Sequence, residues 1–300
     1  MIILLDPFLA QTPAADVGGP APLNLVQTIV LGIVQGLTEF LPISSSAHLK
    51  VVPIALGWGD PGVAYTAVIQ LGSIVAVLWY FWKDLTTITL GAVDAVVRRD
   101  YKSQEFKMAL GIGLGTIPIV FFGLLIKILV PDFDKSFLRS LASIAIASIV
   151  MSLLLATAEK IGKRDRTYEK LTVQDGIFMG LGQAMSLIPG CSRSGSTLTA
   201  GLFLGLERAA AARFSFLLGI PAITLAGLVE LKGALGEGIG GAGVASLLVG
   251  TISAFIFSYL SIAWLMKFLQ TQNMWVFVWY RLAFGVAILT AIAGGALRNS

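Results

Sequence analysis

One cysteine, Cys191, and one histidine, His48, stand in a chain of 300 residues. A single thiol closes no intrachain disulfide, and the two together build no cysteine- or histidine-rich metal cluster. Charge is scarce too. Asp, Glu, Lys and Arg make up 13% of the residues against about 25% in soluble domains, whereas 56% are hydrophobic. That balance excludes an ordinary soluble globule. The net charge of +4 sits mostly in two connections, so it reports membrane topology and points to no nucleic-acid partner. No Pro/Ser-rich or charged linker divides the chain, which predicts a single membrane domain over residues 24–300. Residues 1–23 are read as an N-terminal extension, because Met1–Ala10 lacks the basic segment of a signal peptide and is short for a span.

What the chain does have is long apolar runs. A spanning helix takes about 20 mostly apolar residues, and the candidates are Pro61–Trp82, Met108–Ile126, Ser140–Ala158, Phe214–Val229, Gly238–Met266 and Phe277–Leu297. Trp275, Trp279, Tyr280 and Arg281 gather at the start of the last, a composition suited to the membrane interface. A buried functional charge at Arg281 is the alternative. The connection Lys83–Lys107 holds Arg98, Arg99 and Lys102; the connection Glu159–Lys170 holds Lys160, Lys163, Arg164 and Arg166. Between them Pro131–Lys135 is short and acidic. The positive-inside rule puts both basic connections in the cytoplasm and the acidic one outside.

Two further apolar segments, Asn24–Gly59 and Thr172–Leu206, are broken by proline, glycine and serine clusters. Each reads as a helical hairpin that enters the membrane and turns back; such backbone survives at depth only when buried in protein or lining a wet cavity. They resemble each other: Gln35-Gly-Leu-Thr-Glu-Phe-Leu-Pro-Ile-Ser-Ser-Ser46 aligns with Gln183-Ala-Met-Ser-Leu-Ile-Pro-Gly-Cys-Ser-Arg-Ser194 through one gap, placing Ser45 near Ser192. The expected fold class is therefore an all-α polytopic membrane protein. It is an inverted-topology repeat with about six transmembrane helices plus two re-entrant hairpins, repeat 1 over residues 24–82 and repeat 2 over 172–231. In such folds the broken helices meet near the midplane and build the site there.

The tips carry the chemistry. Gln35 and Glu39 are four apart and share a helix face. The helix should end near Pro42, leaving Ser44, Ser45 and Ser46 as the turn and His48 to open the next helix. A carboxylate inside a membrane segment marks a functional site by default. In the second hairpin, Gly190 permits close backbone approach and Ser192, Ser194, Ser196 and Thr197 supply hydroxyls beside a helix N-terminus able to bind an anion. Arg193 adds a fork suited to phosphate oxygens. A purely structural Glu39–Arg193 ion pair is the alternative. Carboxylate, hydroxyls, imidazole and guanidinium together suit phosphoryl transfer.

These segments resemble the undecaprenyl-diphosphate phosphatases of the bacitracin-resistance type, whose motifs are (E/Q)xxxE and PGxSRSxxT. The chain carries Gln35-Gly-Leu-Thr-Glu39 and a complete Pro189-Gly-Cys-Ser-Arg-Ser-Gly-Ser-Thr197, with further similar stretches at Phe40–His48, Gln70–Ser73 and Arg213–Pro221. The resemblance implies release of phosphate from undecaprenyl diphosphate in the bacterial cytoplasmic membrane, from a site opening to the extracytoplasmic side. It also implies a divalent cation, Mg²⁺ or Ca²⁺, at Glu39. Glu39 is then the essential carboxylate and Arg193 the phosphate binder, while Ser45, His48 or a water attacks. Gln35, Ser44, Ser46, Gly190, Ser192, Ser194 and Thr197 line the substrate. Gln35 falls where many members have Glu. Membrane lipids surround such a chain, and its glycine-rich spans permit a homodimer without requiring one. The rival class is a secondary transporter or lipid flippase, because inverted repeats with broken helices typify that class.

Overall fold

Asn24 starts the first helix. Its side chain accepts the Gln27 backbone N–H while the Gln27 amide oxygen accepts the Asn24 N–H, both at 2.9 Å, a reciprocal cap that satisfies two orphan donors. Helix α1 (Leu25–Phe40) then runs until Pro42 forces Leu41 out of the helical region, at φ −69° and ψ 144°. In this computed structural model, which describes residues 23–130, 133, 136–237 and 244–299, the chain is all-helical with no β-strand among the described residues. The extension expected over residues 1–23 lies almost wholly outside that range.

Helix α2 (Ser45–Ala55) follows the turn, then α3 (Val63–Tyr80), α4 (Trp82–Arg98), α5 (Gln104–Leu129) and α6 (Leu141–Ile161). The second hairpin is α7 (Val173–Ala184) and α8 (Arg193–Phe203), followed by α9 (Arg208–Glu237), α10 (Val244–Phe268) and α11 (Trp275–Ala293). Five of these eleven helices are long and apolar enough to cross a membrane, or six if α3 and α4, bent by 66°, count as one span. The chain is thus a multi-pass membrane protein. Helices α1, α2, α7 and α8 have 16, 11, 12 and 11 residues, all shorter than a bilayer requires.

Two expectations change. The basic connection after Lys83 is mostly helix α4, whose buried Ile88 and Ala95 are seven apart on one face and pack inward while Lys83, Asp94 and Arg98 stay polar. Helix α2 begins at Ser45 rather than His48, because Ser44 takes φ +76° and becomes its N-cap.

Lipid supplies no hydrophobic drive between helices, so close backbone approach has to hold them. On α1, a Cβ at Gly36 would stand 2.6 Å from Phe257 Cβ on α10. Between α5 and α7, Gly180 faces the Gly115 backbone so closely that a Cβ there would lie 2.5 Å from Gly115 Cα. At the end bearing the basic connections, Glu159 pairs with Arg208 and Arg164, Asp175 with Arg166, and Asp84 with Arg213. Arg213 also lies 4.1 Å over the Tyr168 ring, whose phenol is raised above its ordinary value, chiefly by burial.

Gly180→Ala is expected to destabilise the protein by about 1–3 kcal/mol, since the backbone it would strike has nowhere to move. Thermal unfolding in detergent should show a midpoint several degrees lower; an unchanged midpoint would mean that α5 and α7 are not in this contact.

Candidate active site

The two interrupted hairpins end in matching turns. Ser44 caps α2 with φ +76° and Ser192 caps α8 with φ +68°, left-handed values that cost a non-glycine residue energy unless the surroundings hold them. Each cap is followed by a helix of 11 residues and, thirteen positions on (44 to 57, 192 to 205), by a glycine at φ +73° or +82°. Ser45 and Arg193 therefore occupy the same place, the first residue of each short helix, and the structural match shifts the sequence alignment by one: Ser44, not Ser45, corresponds to Ser192.

A cavity of about 290 Å³ lies where these turns meet. It gathers Gln35, Glu39, Ser44, Ser45, Ser46, Ser192 and Arg193. Glu39 is buried, and one of its oxygens accepts from Ser45 Oγ at 2.6 Å and from the Gln35 amide at 3.1 Å. Its other oxygen faces Arg193 Nη2 at 3.4 Å. Arg193 is held 6.0 Å from the Phe40 ring centroid, and only a glycine at 219 leaves room for its guanidinium on α9. Its Nε and Nη1 are buried without a hydrogen-bond partner among the described residues. A buried donor left unmet costs about 1–3 kcal/mol, while the third nitrogen, Nη2, lies towards Glu39.

Behind Glu39 a polar chain continues. The Gln35 amide also donates to Ser73 Oγ at 3.2 Å, which accepts from Ser258 at 2.8 Å. The far walls of the cavity are apolar, with Ile119, Leu187, Ala222, Ile223 and Ala226, and its rim carries Lys50, Asp60, Thr66, Gln70 and Arg139.

The remaining named residues stand outside the cavity. His48 points away from it: Nδ1 meets the Ser44 carbonyl and Nε2 the Tyr280 hydroxyl, each at 2.7 Å, and its ring stacks on Phe284 at 4.3 Å. Ser194 donates to the Leu41 carbonyl at 3.0 Å, tying the second turn to the first. Thr197 bonds the Arg193 carbonyl and Ser215. Gly190, at φ +94°, packs against the Ile144 backbone. For a divalent ion, Glu39 with the Ser45 hydroxyl and the Gln35 amide is the donor set at hand; no cluster of three or more His, Cys, Asp or Glu occurs among the described residues. One carboxylate suits Mg²⁺, which keeps waters and takes substrate phosphate oxygens as ligands.

Arg281 overturns the interfacial expectation. It is 1% exposed, with no carboxylate partner among the described residues. Instead Nη1 donates to the Pro42 carbonyl at 2.9 Å, Nη2 to the carbonyls of Gly190 at 2.8 Å and Cys191 at 3.2 Å, and Nε to that of Ser148 at 3.3 Å. The guanidinium answers the Pro42, Gly190 and Cys191 carbonyls at the two breaks, and is steadied by that of Ser148 in α6. The signal was present as a lone intramembrane arginine, but its partners are backbone atoms and carry no sequence signature.

Residues 28–287 match the family described as bacitracin resistance protein BacA. The chain is 67% identical over 296 residues to a protein of Nostoc sp., covering 99% of this chain and 92% of the relative. It is 70% identical over 273 residues to one of Synechocystis sp., covering 91% and 84%. It is 55% identical over 275 residues to one of Gloeobacter violaceus, covering 92% and 94%. All three relatives are named undecaprenyl-diphosphatase.

Arg281→Met is expected to strand several buried carbonyls at about 1–3 kcal/mol each and so to abolish or severely lower thermal stability in detergent. Arg281→Lys, which keeps the charge and loses the fork, should fall between. Equal stability of all three proteins would remove the guanidinium from its place in the fold.

Proposed function

The chain belongs to the bacitracin resistance protein BacA family, and from that premise we propose that it hydrolyses undecaprenyl diphosphate to undecaprenyl phosphate and inorganic phosphate, recycling the lipid carrier of cell-wall synthesis. One observation carries the chemistry. A buried guanidinium stands 3.4 Å from a carboxylate that also accepts a serine hydroxyl at 2.6 Å, in a cavity that has an apolar wall of Ile119, Leu187, Ala222, Ile223 and Ala226 as well. The polar end suits the diphosphate and the apolar wall the start of the prenyl chain.

Arg193 takes the terminal phosphoryl oxygens and stabilises the charge that develops on them. Ser45 Oγ attacks the terminal phosphorus while its proton passes to the Glu39 oxygen it already touches. The bond to the bridging oxygen breaks and the lipid monophosphate leaves. Glu39 hands that proton to the departing lipid monophosphate; the carboxylate so regenerated takes a proton from a water that attacks the phosphoserine, and returns it to Ser45 Oγ as phosphate leaves. The Ser44 side chain caps no N–H of α2, so the first turn of that helix is open to an anion. A divalent cation bound by Glu39 would neutralise charge on the phosphate oxygens. His48, bonded to the Ser44 carbonyl, holds the left-handed turn that aims Ser45.

The same reading takes the fold as an inverted repeat of two re-entrant units within one membrane domain. The paired caps support it, as does the packing, in which α1 lies on α10, α7 on α5 and α6 on α11. The bent pair α3–α4 then corresponds to α9. Lys50, Asp60 and Arg139 mark the mouth at the end of α5 opposite the basic connections, which supports an opening to the extracytoplasmic side of the bacterial inner membrane. Membrane lipids cover the outer faces, and the span of α5, only 17% buried, leaves room for a second copy in a homodimer.

Purified protein in detergent with Mg²⁺ should release phosphate from a polyprenyl diphosphate. EDTA should suppress the release, and Glu39→Gln, Ser45→Ala and Arg193→Ala should each lower kcat by about a hundredfold or more. Full activity of Ser45→Ala would transfer the attack to water. No release from folded wild-type protein, across metals and chain lengths, would favour a transporter with the same substrate site.

A further inference from the structure

Lys50 has no part in the fold or the chemistry described above. It lies on α2 five residues beyond Ser45, about 7.5 Å further along the helix axis, and Ser46, Leu49 and Lys50 all line the cavity. Its ammonium donates to the Arg139 carbonyl at 2.6 Å, which uses one of three N–H groups. Arg139 itself lines the same cavity. Two residues 89 positions apart thus set two positive charges at one rim, while Arg193 sets a third deeper in. Against these three cations the lining has two acids, Glu39 and Asp60. Asp60 is exposed, and its carboxylate accepts the Gly62 N–H at 2.9 Å.

A terminal phosphate bound at Arg193 leaves the next phosphate of a lipid diphosphate in the same cavity, where the other cationic lining residues are Lys50 and Arg139. We propose that Lys50 and Arg139 form a second phosphate subsite, which holds the lipid-side phosphate and makes the cavity read two phosphates rather than one. The proposal rests on the hydrolysis reading above for its ligand. Lysine suits this position as a flexible point charge that can follow the leaving phosphate, whereas the planar fork at Arg193 suits the fixed terminal group.

Binding to purified protein in detergent separates the subsites without depending on turnover. The probes are a non-hydrolysable farnesyl methylenediphosphonate, which fills both, and inorganic phosphate, which needs only the inner one. Lys50→Gln and Arg139→Gln should each raise the Kd of the diphosphonate about tenfold and leave that of phosphate within twofold. Lys50→Arg, which keeps the charge, should restore tight binding and guards against a merely misfolded variant. Equal weakening of both probes, or of neither, overturns the subsite, as does displacement of the diphosphonate by bulk anionic phospholipid at equal concentration. A wild-type protein that binds the diphosphonate in this pattern but releases no phosphate would overturn the hydrolysis reading and leave the subsite standing.

Discussion

Four backbone carbonyls from three separate parts of the chain converge on the guanidinium of Arg281. A helix that breaks among packed helices leaves carbonyl groups that need a donor from elsewhere in the protein. Arg281 satisfies those of Pro42, Gly190 and Cys191 together, and that common donor keeps the two turns side by side. A carboxylate could not do this, since it has no N–H to give. A lysine would offer three donors around a point rather than a planar fork. Burial of so large a cation is costly by itself, and the carbonyl dipoles on which it rests offset that cost.

Once the turns are adjacent, much of the cavity follows from their matching shapes. Left-handed serines at 44 and 192 each start a short helix, and the first residue of one helix is a hydroxyl while that of the other is a guanidinium. Ser194 crosses to the Leu41 carbonyl, and Glu39, one turn before the break in α1, reaches both partners. The same local geometry written twice thus yields two unlike groups facing one carboxylate. The polar chain through Gln35, Ser73 and Ser258 anchors that carboxylate from behind, so its orientation does not depend on substrate.

How much of this could be read beforehand differs from element to element. Apolar runs mark the long helices, and Pro42 marks the end of α1, because both signals are local. The start of α2 lies three residues before the expected one, since a serine at positive φ carries no sequence signature of the kind a glycine does. Helix α4 hid behind its charges, which suggest a loop until Ile88 and Ala95 are seen to share a face. Arg281 sat among Trp275, Trp279 and Tyr280, a composition indistinguishable from an interfacial belt, and nothing local told that its partners were carbonyls up to 239 positions away. His48 is one of three candidates for the attacking group in the sequence, and the side-chain direction that α2 imposes turns its imidazole to Tyr280. Long-range pairings such as Lys50 with Arg139 are set by the packing of helices and lie beyond any motif.

The central claim is that the two turns form one phosphate-binding centre between Glu39, Ser45 and Arg193. An experimental structure with a non-hydrolysable polyprenyl diphosphonate bound tests it most directly. The account predicts the terminal phosphonate within hydrogen-bond distance of the Arg193 guanidinium and of Ser45 Oγ, with Arg281 still on its four carbonyls. A phosphonate bound elsewhere, or turns drawn apart around it with Arg281 released, would contradict the account.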